Sequence, residues 1–235
     1  FHYLREVWKT TTEKDALLGV SMTGIASNKL KGLDLEEATS IAKGVNKTIA
    51  ETIGINPAAR ITCVKPAGTT SCVLGTSSGI HAWHDNYYIR RLRVGKNEAI
   101  YDFLLENYPE LIEDDYFRPH DTAVISLPQK APEGSTTRDE SAKDLLERVK
   151  WIAKKWVNTG HTAGMNTHNV SATISIRKYE WDEVGEWMRN NRKFYNGLSV
   201  LPYDGGTYKQ APFETITRSQ YEQMIAGLRD ININN

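Results

Sequence analysis

The stretch "ITCVKPAGTTSCVLGTSSG", residues 61–79, runs a short apolar strand into a loop, with one proline, three glycines and seven hydroxyl side chains in nineteen residues. Pro66 ends the strand because it has no N–H to donate to a ladder. Beyond it, Ala67, Gly68, Thr69, Thr70 and Ser71 supply the parts of an anion cradle. Backbone N–H groups at a helix start sit at the positive end of the helix dipole. Hydroxyls add donors, and Gly admits the main chain without a Cβ in the way. The same residues also fit a plain strand-to-helix turn in which Ser or Thr caps the helix. Neither the Walker A pattern nor G-x-G-x-x-G occurs, so the two readings stay open on the loop alone.

Outward from the loop, apolar periodicity alternates between helical and strand-like. Leu35, Ala38, Ile41, Ala42, Val45, Ile49 and Ile53 share one helical face, with Asp34 and Glu37 as an N-terminal cap. Residues 98–106 read as helix and 122–127 as strand, followed by an exposed loop over 129–137. Residues 139–157 carry the strongest helical stripe: Leu145, Leu146, Val149, Ile152, Ala153 and Trp156, with Gly160 after its end. "NVSATISI" (169–176) alternates as a half-buried strand, 181–188 returns to helix, and 197–201 to strand. A last helix over 218–228 opens on a capping box of Thr217 and Gln220. Strands alternating with helices of this length predict an α/β fold with largely parallel strands, whose ligands gather at strand carboxyl ends.

A chain of 235 residues with 40% apolar and 25% charged residues has enough material for a sizeable core. Twenty-nine basic residues balance twenty-nine acidic ones, which argues against broad binding to nucleic acid or an anionic membrane. No apolar run approaches the roughly 20 residues that span a bilayer, and no signal peptide is read. The chain starts at Phe1 rather than Met, and both ends read as cut. Cys63 and Cys72 match no zinc spacing and make no disulfide framework, which favours a reduced, cytoplasmic setting. Cys63 reads as a packed hydrophobe, and Cys72 lies nearer the hydroxyl loop.

Other groups offer less chemistry. His81 and His84 with Asp85 make no recognised metal spacing and read as local hydrogen-bonders, and His161 and His168 alone make a poor metal site. "NYYIRRLRV" (86–94) interleaves aromatic and basic residues. At zero net charge it reads as an element edge whose Arg residues pair with acids or a phosphate. Trp151, Trp156, Trp181 and Trp187 read as core, and Asp114 and Asp115 find no partner carboxylate for a paired-acid mechanism.

Four segments in order, "VKPAGTTS", "GTSSGIHAWHDNYYIRRLRV", "NVSATISI" and "GLSVLPYDGGTYKQAPFE", resemble the carboxyl-terminal part of class II ribonucleotide reductase. The similarity runs from about Leu17 to Leu228 and points to the adenosylcobalamin-dependent ribonucleoside-triphosphate reductases. The resemblance implies a ten-stranded α/β barrel, of which residues 1–235 form a single region in the carboxyl-terminal half. It implies a thiyl radical generated with adenosylcobalamin, abstraction of the ribose 3′-hydrogen, and a cysteine pair re-reduced by thioredoxin or a similar dithiol. It also implies that Pro66, Ala67, Gly68, Thr69, Thr70 and Ser71 hold the phosphates of a ribonucleoside triphosphate. Ala67-Gly68 after the proline departs from the P-T-A-S-T type of loop seen in the diphosphate enzymes of class I.

The departures matter as much. The family's N-C-x-E finger motif with the radical cysteine is absent, as is its carboxyl-terminal cysteine pair. Cys63 and Cys72 do not match the reducing pair, and Tyr87 and Tyr88 are not the radical-relay tyrosines of class I. The expectation is therefore one portion of a reductase, without catalytic residues of its own and inactive without the amino-terminal portion. The alternatives are a stand-alone nucleotide- or phosphate-binding module and a barrel piece with no separate function.

Overall fold

The computed structural model describes residues 3–30, 32–203 and 208–228. Its main elements begin with α1 (Glu6–Asp15), α2 (Leu35–Ile53), α3 (Gly68–Val73), β1 (Tyr87–Gly95), α4 (Ala99–Asn107), β2 (Ile112–Asp114) and β3 (Thr122–Lys130). They continue with α5 (Ala142–Ile152), β4 (Thr173–Ile176), α6 (Trp181–Asn191), β5 (Ser199–Pro202), β6 (Phe213–Thr215) and α7 (Arg218–Gly227). The chain divides into two units, Phe1–Ala82 with Asp139–Tyr203, and Trp83–Arg138 with Asp204–Asn235.

In the first unit the pairings are parallel, as the alternation of strand and helix predicts, except for one isolated antiparallel bridge between Arg60 and His161. Val20 bridges Thr62 and Val64 bridges Val170, both parallel, and β4 pairs with β5 from Thr173–Ser199 to Ile176–Pro202. The segment expected as one strand, "ITCV", pairs instead at single residues. Val20 N–H donates to Ile61 O on one side, while Ile61 N–H donates to Gly160 O and Val64 N–H to Asn169 O on the other. Shared among three neighbours, it never keeps one partner long enough for a regular ladder.

α5 covers this array. Its Ser141–Asp144 capping box sets the start at Ala142, and Leu145, Leu146, Val149 and Ile152 are all buried. The helix expected to reach residue 157 changes at Ala153 into a π turn, Ala153–Val157. Trp156 in that turn donates its indole N–H to Cys63 O at 3.1 Å, locking helix to strand. Trp156 and Trp187 are core as expected. Trp151 and Trp181 are not, each being 41% exposed because they sit on the outer faces of α5 and α6.

α2 begins as the sequence predicts, with Asp34 accepting from the N–H groups of Glu36 and Glu37. Its apolar face is a correction. Leu35, Thr39 and Ala50 are buried, whereas Ile41, Val45, Ile49 and Ile53 stand 53–63% exposed. The buried arc is set by contact with the π turn and the residues after it, where Thr159 Oγ1 donates to Thr39 Oγ1 at 3.1 Å.

The second unit departs from the parallel expectation. Its sheet has the order β2-β3-β1-β6 and is antiparallel throughout, with β1 and β3 in register from Tyr87–Lys130 to Gly95–Thr122. Antiparallel sheets tolerate one wet face, and β1 carries three arginines. Two of these pair with acids as expected: Arg91 with Glu113 and Glu214, and Arg93 with Asp115. Val94, Leu104, Tyr108, Leu111, Ala123 and Ile125 form its core beneath α4. The Thr217–Gln220 capping box opens α7 as predicted.

Candidate functional site

The hydroxyl loop leaves the parallel array at Lys65, whose N–H donates to Ser21 Oγ at 3.1 Å. Ala67 N–H donates to Ser78 Oγ at 2.9 Å, drawing the loop onto the later part of the same stretch. α3 then starts at Gly68 with Ala67 as its N-cap residue and no side-chain cap. This decides one local question: no Ser or Thr caps the helix. The first-turn N–H groups of any helix lack intrahelical acceptors. Here they open beside Thr69 and Thr70, which are exposed and whose hydroxyls meet no protein partner among the described residues. A Cβ placed on Gly68 would meet nothing within 4 Å, so the space before it is open.

Ser71 behaves differently from its neighbours. It is buried, donating its hydroxyl to Gly68 O at 3.1 Å and its N–H to Ala67 O at 3.2 Å. It shapes the turn from within, leaving Thr69 and Thr70 as the outward hydroxyls. Pro66 and Gly68 are exposed and Ala67 is partly so.

A brace holds this turn that the sequence does not reveal. Thr23 Oγ1 donates to Ser77 O and accepts from Gly79 N–H, both at 2.9 Å. Gly79 has φ +56°, and a Cβ there would lie 2.7 Å from Lys65 O, so the turn at this position passes against the loop backbone only as glycine. His81 Nε2 accepts from Thr173 N–H at 3.0 Å, so Nδ1 carries the ring proton and donates to Ser78 O at 3.2 Å. Burial, reinforced by the positive charge of Arg148, lowers the His81 pKa against the opposing Ser78 bond and Glu140 charge. The signal in the sequence is a second run of hydroxyls, Thr76, Ser77 and Ser78, following the loop.

The remaining candidates find structural partners. His84 stacks on Phe213 with ring centroids 5.3 Å apart, and burial and the Arg138 charge push its pKa down to about 4. His161 Nε2 lies 2.9 Å from Gly164 O, and His168 Nε2 lies 2.9 Å from Leu18 O. Asp115 accepts from Arg93 Nε and from the N–H groups of Phe117 and Arg118, shaping a turn, and Asp114 pairs with Lys96. Cys63 is buried, which raises its thiol pKa, and Cys72 is exposed; both are free thiols. Among the described residues no three His, Cys, Asp or Glu side chains are grouped to hold a metal, and no helix is long and apolar enough to cross a membrane.

No family model matches the chain. It is 27% identical over 260 aligned positions to an adenosylcobalamin-dependent ribonucleoside-triphosphate reductase of Lactobacillus acidophilus, covering 97% of this chain and 34% of that protein. A protein of the same name from Euglena gracilis is 29% identical over 236 positions, covering 95% and 31%. In fold the chain is similar to a crystal structure of a B12-dependent (class II) ribonucleotide reductase. The TM-score is 0.73 at 23% identity, over 94% of this chain and 34% of that one. The mixed α/β arrangement described above is thus one that a part of that reductase shares. The chain is homologous over most of its length to adenosylcobalamin-dependent (class II) ribonucleotide reductases, and it spans about a third of the length of the curated relatives it matches.

Proposed function

We propose that this chain is the carboxyl-terminal part of the barrel domain of a ribonucleotide reductase, and that residues 66–71 hold the phosphates of a ribonucleoside triphosphate. The observation that carries the reading is the uncapped start of α3. First-turn N–H groups open beside two free hydroxyls, at the end of a strand in a parallel array. Parallel α/β folds collect ligands at such strand ends, and a helix start with free N–H groups favours an anion. Thr69 and Thr70 donate hydroxyl hydrogens to phosphate oxygens, Gly68 lets the phosphate approach the main chain, and Ser71 fixes the turn.

Reduction at the ribose falls to residues outside this chain. Adenosylcobalamin supplies the initiating radical when bound to the complete enzyme, and a thioredoxin-type dithiol supplies the electrons. The two free thiols suit a reduced cytoplasmic setting.

The test combines the chain with the remaining portion of the reductase from the same genome, adenosylcobalamin, a dithiol and ATP or CTP, and measures deoxynucleotide. Thr69→Ala/Thr70→Ala should raise the KM for the triphosphate at least tenfold, since charge-assisted hydrogen bonds contribute about 1.5–3 kcal/mol each. An unchanged KM removes the phosphate assignment. Triphosphate binding without product, in the presence of every other component, would identify a binding module instead.

A further inference from the structure

We infer that Lys150, Lys154 and Lys193, gathered around the ring of Phe194, form a binding site for a compact polyphosphate anion. The inference is independent of the reductase reading above and concerns the first unit alone. The three ammonium nitrogens lie 5.6, 4.9 and 5.2 Å from the centre of the Phe194 ring.

The ring is a fixed floor. Phe194 follows α6 in the turn Arg192–Phe194 and packs, partly buried, against the core that α5 and α6 share. Lys150 comes from the last turn of α5, Lys154 from the π turn that continues it, and Lys193 from the turn after α6. Two separate parts of the chain thus bring positive charge to one place. A ring has two faces, so three cations over it put at least two on the same face. Lys150 and Lys154 are also four residues apart, a spacing at which like charges destabilise a helix. The negative ends of the helix dipoles favour basic residues in last turns, but they do not require three ammonium groups to meet at one ring.

Acids do not balance this charge. Residues 148–160 hold Arg148, Lys150, Lys154 and Lys155, residues 187–198 hold Arg189, Arg192 and Lys193, and neither segment contains Asp or Glu. Arg148 is held by Glu140 and Lys155 by Glu36. Lys150 approaches Glu147 only to 3.9 Å, and that carboxylate accepts the Trp187 indole N–H at 2.6 Å through its other oxygen. Lys154 and Lys193 pair with no acid among the described residues, and both are exposed, so an anion reaches them from solvent.

The residue type points to phosphate. An ammonium is a compact point charge with three rotatable donors, which suits phosphate oxygens approached from several directions, whereas a carboxylate is best matched by the planar fork of arginine. Three positive charges around one ring call for several negative charges on neighbouring atoms, as in a di- or triphosphate. A long nucleic-acid backbone spreads its charge more widely, and a chain with zero net charge offers it no extended track. The site is also separate from residues 66–71. Gly160, just after the π turn, accepts from Ile61 N–H at the start of the segment 61–64, whereas the hydroxyl loop leaves that segment at its other end.

The test titrates inorganic tripolyphosphate into the 235-residue chain by calorimetry at low ionic strength. A Thr69→Ala/Thr70→Ala background removes the hydroxyls of the loop. Lys154→Gln/Lys193→Gln should weaken binding about tenfold or more, since each removes a charge-assisted hydrogen bond from an exposed side chain. Lys155→Gln, whose ammonium is already paired with Glu36, should change it by less than about twofold. No binding in the background chain overturns the inference, as does equal weakening by Lys155→Gln and by the double variant. A hexaglutamate peptide that binds more tightly than tripolyphosphate also overturns it, and would make the cluster a site for an acidic protein segment. ATP that binds as tightly as tripolyphosphate identifies the tail of a nucleotide as the source of the phosphates, and ATP that binds far more weakly identifies free polyphosphate. Either result upholds the site.

Discussion

His81 Nε2 accepts the backbone N–H of Thr173 at 3.0 Å, and through its other nitrogen His81 reaches Ser78 O. Ser78 in turn holds Ala67 N–H. A single imidazole thus links the first residue of β4 to the segment that positions the start of α3. The link works only for neutral imidazole with its proton on Nδ1, because protonated Nε2 has no lone pair to accept with.

That requirement gives stability a pH dependence. Burial lowers the His81 pKa below its ordinary value of 6.5, so the unfolded chain takes up the proton more readily than the folded one. The contribution of His81 is fully present above pH 6.5 and is lost as pH falls from there towards the folded value. His84, pushed down to about 4, acts in the same direction over the window from 6.5 to about 4. Urea midpoints should fall between pH 7.5 and 5, and the fall should shrink in His81→Phe. An NMR titration placing His81 at or above 6.5 contradicts the account.

Ser78→Ala removes the acceptor for Ala67 N–H, the last bond before the uncapped helix start. The loss should cost about 1 kcal/mol in stability, the usual net worth of one hydrogen bond. Amide exchange at Ala67 should quicken far more than exchange in β4, because the damage is local. Ser78→Thr keeps the oxygen and should restore protection at Ala67. Equal exchange in Ser78→Ala and the parent would mean that the bond does not hold the loop.

Ser77 tests the opposite case. Its hydroxyl is buried and has no hydrogen-bond partner among the described residues, although its carbonyl accepts from Thr23 and from Gly24 N–H. A buried, unsatisfied polar group costs about 1–3 kcal/mol, so Ser77→Ala should leave stability unchanged or raise it by about 1 kcal/mol. A lowered thermal midpoint would show that the hydroxyl has a partner in solution.

The sequence revealed most where the physics is local. The Asp34 cap of α2 and the Thr217–Gln220 box each lie within four residues, and the buried side of α5 follows from its own periodicity. It revealed less where one element's state depends on another. The stripe of Ile41, Val45 and Ile49 was legible as apolar, but whether it is buried depends on what lies beside α2. Strand direction was equally hidden, since the aromatic and basic residues of β1 read the same for a parallel or an antiparallel partner. The loop was found through its composition. Its brace was not, because Thr23 and Gly79 are 56 residues apart and His81 and Thr173 are 92 apart.

Gly160 was read as a helix terminator, and the structure gives it a second duty. A Cβ there would lie 1.8 Å from Thr62 Oγ1 and 2.8 Å from Thr62 Cβ. Thr62 is 1% exposed and donates to Trp156 O, so it has no room to yield. Gly160→Ala should therefore destabilise by about 1–3 kcal/mol, the range for overpacked cores, and lower the urea midpoint accordingly. Thr62→Ala alone should cost about 1 kcal/mol through its lost hydrogen bond. In the double variant the new methyl occupies the space that the threonine vacates, so the combined loss should be smaller than the sum of the two. Additive losses would show that the clash is relieved by backbone movement and that the close approach of Gly160 to Thr62 is not what fixes the glycine.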